Sequence, residues 1–180
     1  LYLWRDGKVE RLTDEKLAES YPVVAHDGSI YYTAGDVSRA RIVRRRLGDK
    51  SSTPVSRWGA NHPAVSADGS LLAFTWFDTN GRGRVVVKRL ADNQTFIVTT
   101  ADYHAGFPAF SPDGRRLAFV RFYRGAPNAP RQTTSRGSLW SLPLDAIVKG
   151  SKADAAALMA RARQLTSDRG DVLLPRWHKR

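Results

Sequence analysis

Residues 106 to 119 read GFPAFSPDGRRLAF. Phe107 and Phe110, on either side of Pro108, lead into Ser111-Pro112-Asp113-Gly114, and the apolar run Leu117-Ala118-Phe119 follows. That order spells strand, tight turn, strand. Pro112 presets φ for the first corner of the turn, Asp113 can bond its own backbone, and Gly114 tolerates a positive φ. Apolar residues on both sides complete a hairpin.

The same order is written twice more. Residues 61 to 74 read NHPAVSADGSLLAF, and residues 20 to 32 read SYPVVAHDGSIYY. Tyr21, His62 and Phe107 each precede a proline, and Asp-Gly begins five residues after that proline. Asp27, Gly28, Asp68, Gly69, Asp113 and Gly114 are therefore read as structural turn residues. From Pro22 to Pro63 is 41 residues and from Pro63 to Pro108 is 45, the period of a four-stranded propeller blade. One such sheet cannot bury both of its faces alone, so neighbouring blades must stack around an axis. A fourth anchor, LLPRWHKR, places Pro175 five residues before Arg180.

The expected fold is all-β: a β-propeller of four-stranded antiparallel blades, about four blades' worth, with a helical insertion near 152–163. Residues 1–17 form a half blade, with strands Leu1 to Trp4 and Val9 to Leu12 around Asp6-Gly7. Residues 20–57, 61–100 and 106–168 are blades, and 172–180 is the first strand of the next. First strands are expected at Pro22 to Ala25, Ala64 to Ser66 and Ala109 to Ser111. In Ala40 to Leu47, Arg44, Arg45 and Arg46 put positive charge on both faces, and such a run reads as a solvated edge strand. The fourth strand near Thr53 to Arg57 is weak. Tyr123 to Gly137 is a long loop, and ADAAALMARAR at 153–163 predicts one helix of about three turns. Arg163-Gln164-Leu165-Thr166 then echoes Glu10-Arg11-Leu12-Thr13, which supports the register.

A formal charge of +12 and a pI near 10.6 favour acidic partners. Only seven of the 29 basic residues are lysine, and an arginine bias of that kind can equally reflect genome composition. Cysteine is absent, which removes disulfides, thiolate catalysis and cysteine-ligated metal. No apolar run approaches the roughly 18 residues of a membrane span. There is no Gly-x-Ser-x-Gly elbow, His-Glu-x-x-His, Walker loop or Gly-x-Gly-x-x-Gly. His26, His62, His104 and His178 are dispersed, and the first three, in or near the repeat anchors, read as loop or packing residues. No catalytic, cofactor-binding or metal-binding residue is assigned, and the chain reads as non-enzymatic. Asp78-Thr79-Asn80-Gly81 reads as a turn, and Arg169-Gly170-Asp171 as a chance tripeptide.

Pro-x-Phe-Ser-Pro-Asp-Gly-x-x-Leu-Ala-Phe at 108–119, with the Gln-Leu-Thr ending at 164–166, resembles the Pro-Asp-Gly repeat of the TolB-like β-propellers. Ser66-Ala67-Asp68-Gly69 departs from it by one residue and Ala25-His26-Asp27-Gly28 by more. The resemblance implies six or more blades in a complete ring, so this chain is expected to be part of a larger propeller. It also implies a periplasmic or other extracytoplasmic site. In such propellers the loops between strands two and three share one rim with the connections from strand four to the next strand one, and that rim receives ligands. Here the rim comprises Trp58, His62, Arg82, Arg84, Asp102, Tyr103, His104, Tyr123, Arg124, Arg131 and Arg136. Its arginines would make it positive, and Trp58, Tyr103 and Tyr123 would supply aromatic anchors. The leading reading is a non-catalytic scaffold that binds a protein partner with an acidic face, or assembles in a larger complex. The alternative is an accessory propeller of a larger enzyme, namely a prolyl-oligopeptidase-like hydrolase, an amidohydrolase or a cytochrome-linked protein. Nucleic acid is the lesser option, since base binding wants interleaved aromatics.

Overall fold

Each of the three repeated Asp-Gly pairs, like Asp6-Gly7, closes a hairpin in the computed structural model, which describes residues 1–14, 17–36, 39–122, 137–148, 154–167 and 175–177. β1 (Tyr2–Arg5) and β2 (Lys8–Arg11) form a two-stranded sheet. Three four-stranded antiparallel sheets follow. The first runs β3 (Glu19–Val24), β4 (Ile30–Ala34), β5 (Arg41–Arg45), β6 (Thr53–Pro54). The second is β7 (Ala60–Val65), β8 (Leu71–Phe77), β9 (Gly83–Arg89), β10 (Thr95–Ile97), and the third β11 (His104–Phe110), β12 (Arg116–Phe122), β13 (Gly137–Pro143), β14 (Arg163–Gln164). Strands are hydrogen-bonded in chain order, as in propeller blades.

The turns work as their residues dictate. The carboxylates of Asp27, Asp68 and Asp113 accept from the backbone N–H two residues on, at 2.9, 3.0 and 3.0 Å. Gly28, Gly69 and Gly114 take φ of 77°, 71° and 67°, where a side chain would be strained. Ser66 and Ser111 hydroxyls also donate to Asp68 and Asp113, at 2.6 and 2.5 Å. These hydrogen bonds hold all three carboxyls below the usual carboxylate range.

A second repeat locks the outer half of each sheet. The N–H groups of Val55, Val98 and Leu165 donate to the carbonyls of Ile42, Val85 and Leu139, at 2.9, 2.9 and 2.7 Å. In return, the N–H groups of Ile42, Val85 and Leu139 donate to the hydroxyls of Ser56, Thr99 and Thr166, at 2.8, 3.0 and 2.9 Å. Leu12 to Leu1 repeats the first bond in the two-stranded sheet. Thr99→Val is therefore expected to strand the buried N–H of Val85 and cost about 1–3 kcal/mol in urea unfolding. Thr99→Ser, which keeps the acceptor, should recover most of it.

Packing follows from the alternation of β8. Leu72 and Phe74 face the first sheet, joining Tyr31 and Ile42, whereas Leu71 and Ala73 face the third, joining Leu117, Phe119 and Leu142. Leu1 and Leu12 pack on Ile30, Tyr32 and Val43, which seats the two-stranded sheet on the first blade.

Several expectations are corrected. The first strands begin earlier than Pro22, Ala64 and Ala109, because a bulge carries each one through its proline. β5 is an interior strand rather than an edge, and Arg44 is used internally, donating to Asp27 at 3.1 Å and Ser29 at 2.8 Å. The helix near 152–163 is α2 (Ala155–Ala160), capped by Asp154, and a separate α1 (Asp145–Val148) precedes it. Burial of Ile147 and Leu158 in the core pins two short helices, and Arg161 N–H bonding back to Leu158 ends the second. The loop at 123–136, Arg169-Gly170-Asp171 and most of 172–180 lie outside the described residues. Within 175–177 the Trp177 indole donates to the Ala109 carbonyl at 3.0 Å.

Candidate functional site

A residue before proline is normally pushed to extended backbone. Tyr21, His62 and Phe107 instead take φ of 53°, 55° and 54°, a left-handed conformation that is costly for bulky residues. At each one the pairing to the second strand shifts, marking a bulge. The bulge turns the three rings into one ladder along the first strands. Tyr21 and His62 centroids are 4.3 Å apart, His62 and Phe107 4.1 Å, and Phe107 meets Phe122 edge-on at 5.9 Å. Burial pushes the His62 imidazole down to about 4, and its Nδ1 is buried without a hydrogen-bond partner.

A second constellation lies where each fourth strand connects to the next first strand. The Arg41 guanidinium sits 4.4 Å over the Trp58 ring, and that of Arg121 sits 4.1 Å over Tyr103 and 5.2 Å over Trp140. Such stacking suits the weakly hydrated guanidinium. Arg82 donates to Ala101 O at 3.1 Å, Arg84 Nε to Thr99 O at 3.1 Å, and the Gly83 N–H to His104 Nδ1 at 3.3 Å. Burial raises the Tyr103 phenol against the pull of Arg121. Asp78 spends its carboxylate on the Asn80 and Arg82 N–H groups, forming the turn expected there.

The two ends of the blades differ in charge pairing. Toward the Asp-Gly end, Arg44 pairs with Asp27 at 3.1 Å and Arg89 with Asp92 at 2.7 Å. At the connection end, Arg41, Arg82, Arg84 and Arg121 form no ion pair among the described residues. Among the described residues no cluster of three acidic or histidine side chains could hold a metal.

Of the residues singled out in the sequence, Trp58, Arg82, Arg84, Asp102, Tyr103 and His104 fall at this connection end. His62 stands apart from the arginines, in the ring ladder. Tyr123, Arg124, Arg131 and Arg136 lie outside the described residues. Sequence reasoning missed Arg41, Arg121 and Trp140, which meet their partners only through folding. It also took Tyr21 and Phe107 as repeat markers alone, although a ring before proline in every copy was the available signal.

No protein-family model matches the chain, and no curated protein matches its sequence. Solved structures do. The putative TolB from Agrobacterium tumefaciens superposes with a TM-score of 0.65 and 19% identity, covering 80% of this chain and 52% of that one. The tricorn protease gives 0.64 and 16%, covering 95% and 19%. The β-propeller domain of the Trilobed protease from Pyrococcus furiosus gives 0.56 and 17%, covering 72% and 40%. The chain thus spans from 19% to 52% of the length of these structures. At such identities the likeness concerns architecture, and the chain has the fold of a TolB-like β-propeller.

Proposed function

We propose that the chain is a non-catalytic propeller scaffold whose connection rim binds a protein partner presenting acidic side chains. The observation that carries this is the set of rim arginines, Arg41 on Trp58 and Arg121 on Tyr103 and Trp140, held on aromatic rings with no carboxylate partner among the described residues. Aromatic and arginine side chains together are the composition of binding hot spots. Arg82, Arg84, Asp102 and His104 belong to the same proposed surface, as do, by sequence, Tyr123, Arg124, Arg131 and Arg136, whereas His62 lies in the ring ladder. A periplasmic or other extracytoplasmic site is part of the proposal, supported by the TolB-like fold and testable by cell fractionation.

The test is binding to immobilised polyglutamate. The wild type is expected to bind with affinity that falls as salt rises, and the charge reversals Arg41→Glu with Arg84→Glu should weaken it at least tenfold. Affinity unchanged by the reversals would refute the rim. Tighter binding to a single-stranded oligonucleotide would replace the protein partner with nucleic acid.

A second reading, an accessory propeller of a larger enzyme, is favoured by the small share of the tricorn protease that the chain spans. An intact mass from the native source well above 20.0 kDa would support it, and a matching mass would remove it.

A further inference from the structure

Arg121 differs from its neighbours in what it leaves unmet. It lies on β12 opposite Ala105 and Ser138, with Tyr103 and Trp140 both against its guanidinium. Both rings are themselves fixed. Tyr103 is buried, and the Trp140 indole N–H donates to the Ser138 hydroxyl at 2.7 Å. The cation is therefore preorganised. A guanidinium carries five N–H donors, yet Arg121 Nε is buried with no acceptor. Its hydrogen bonding is thus unlike that of Arg82, Arg84 and Arg116, which donate to Ala101 O, Thr99 O and Ser141 Oγ.

Burying part of a cation without an acceptor is unfavourable, and stacking on two rings offsets the cost without using the donors. Arg121 as a whole is only half-buried, and an incoming carboxylate has the planar, two-oxygen geometry that matches its two terminal nitrogens, for which no acceptor stands among the described residues. We infer that Arg121, clamped by Tyr103 and Trp140, is the receptor for a single aspartate or glutamate side chain of the partner. The inference rests on the rim reading and narrows it to one residue. Arg41, with a buried unpartnered Nε over one ring, is the weaker counterpart two blades earlier.

The experiment uses the full chain and a hexaglutamate peptide blocked at both ends, with hexaglutamine as the neutral probe. Arg121→Lys keeps the charge but removes the fork, so its hexaglutamate affinity is expected to fall at least tenfold, while Arg115→Lys at the Asp-Gly end leaves it unchanged. In the wild type, the Arg121 Nε–H resonance, assigned by its loss in Arg121→Lys, should move on titration with hexaglutamate and stay fixed with hexaglutamine. A resonance that hexaglutamate does not move, or equal affinity in Arg121→Lys, overturns the assignment even if that variant folds poorly in other respects. If Arg41→Glu with Arg84→Glu weakens binding while Arg121→Lys does not, the receptor fails and the rim stands. If none of these changes weakens it, both fail. A shift produced equally by inorganic phosphate would mark a general anion site and overturn the carboxylate receptor.

Discussion

Phe119→Ala is expected to destabilise the protein by about 3–5 kcal/mol, the range for truncating a fully buried aromatic ring. Phe119 has no exposed surface and lies in the cluster joining Leu71, Val85 and Val87 of the second blade to Leu117 and Leu142 of the third. Stacked sheets are stabilised through the interfaces they share with their neighbours. The cavity would fall in such an interface, so urea unfolding should shift to a lower midpoint, with faster amide exchange in 116–122 and 83–89. Val24→Ala, at a residue 71% exposed, should change the midpoint by less than about 0.5 kcal/mol. A Phe119→Ala loss below about 1 kcal/mol would mean that the two blades do not share this core.

Acidification from pH 7 to pH 4 is expected to cost about 2 kcal/mol through His62 alone, taking 1.36 kcal/mol per pKa unit and allowing for solvent reaching part of the ring. Its folded-state value of about 4 lies below the ordinary 6.5. As pH falls, the unfolded chain therefore takes up the proton first. The contribution of the neutral ring is complete above pH 6.5 and is lost down to about 4. The turn carboxylates Asp27, Asp68 and Asp113 are shifted down from 3.8, so their contribution is lost at still lower pH. His62→Phe keeps a stacking ring between Tyr21 and Phe107 and should flatten the profile between pH 7 and 4. Unfolding midpoints at pH 7, 5 and 4 check this, and a wild-type profile as flat as that of the variant would contradict the buried neutral imidazole.

The hairpins were legible because Pro-Asp-Gly chemistry is local: Asp113 and Gly114 need only their own neighbours to make the turn. The outer-strand rung was half legible. Leu12-Thr13 and Leu165-Thr166 stood out as an echo, but Val55-Ser56 and Val98-Thr99 perform the same bonding in a different sequence. The bulges were not legible, because the rule for residues before proline points away from the left-handed backbone that Tyr21, His62 and Phe107 adopt. Stacking between blades selects that backbone, and it joins residues some 40 positions apart in sequence. The helical insertion was legible in kind but not in length, since propensity along Ala155–Ala160 says nothing of the burial of Ile147 and Leu158. For the rim, side-chain types at the connections were readable, whereas the meeting of Arg121 with Tyr103 and Trp140 depends on the register of β12 against β13 and on where the connection before β11 lays Tyr103.

The rim and the Asp-Gly end can be told apart directly by amide hydrogen exchange of the whole chain with and without polyglutamate. Slowed exchange is expected in 58–62, 82–84 and 102–106, with 27–28, 68–69 and 113–114 unchanged. Protection confined to the Asp-Gly turns, or spread evenly over both ends, would contradict a partner-binding rim at the connections between blades.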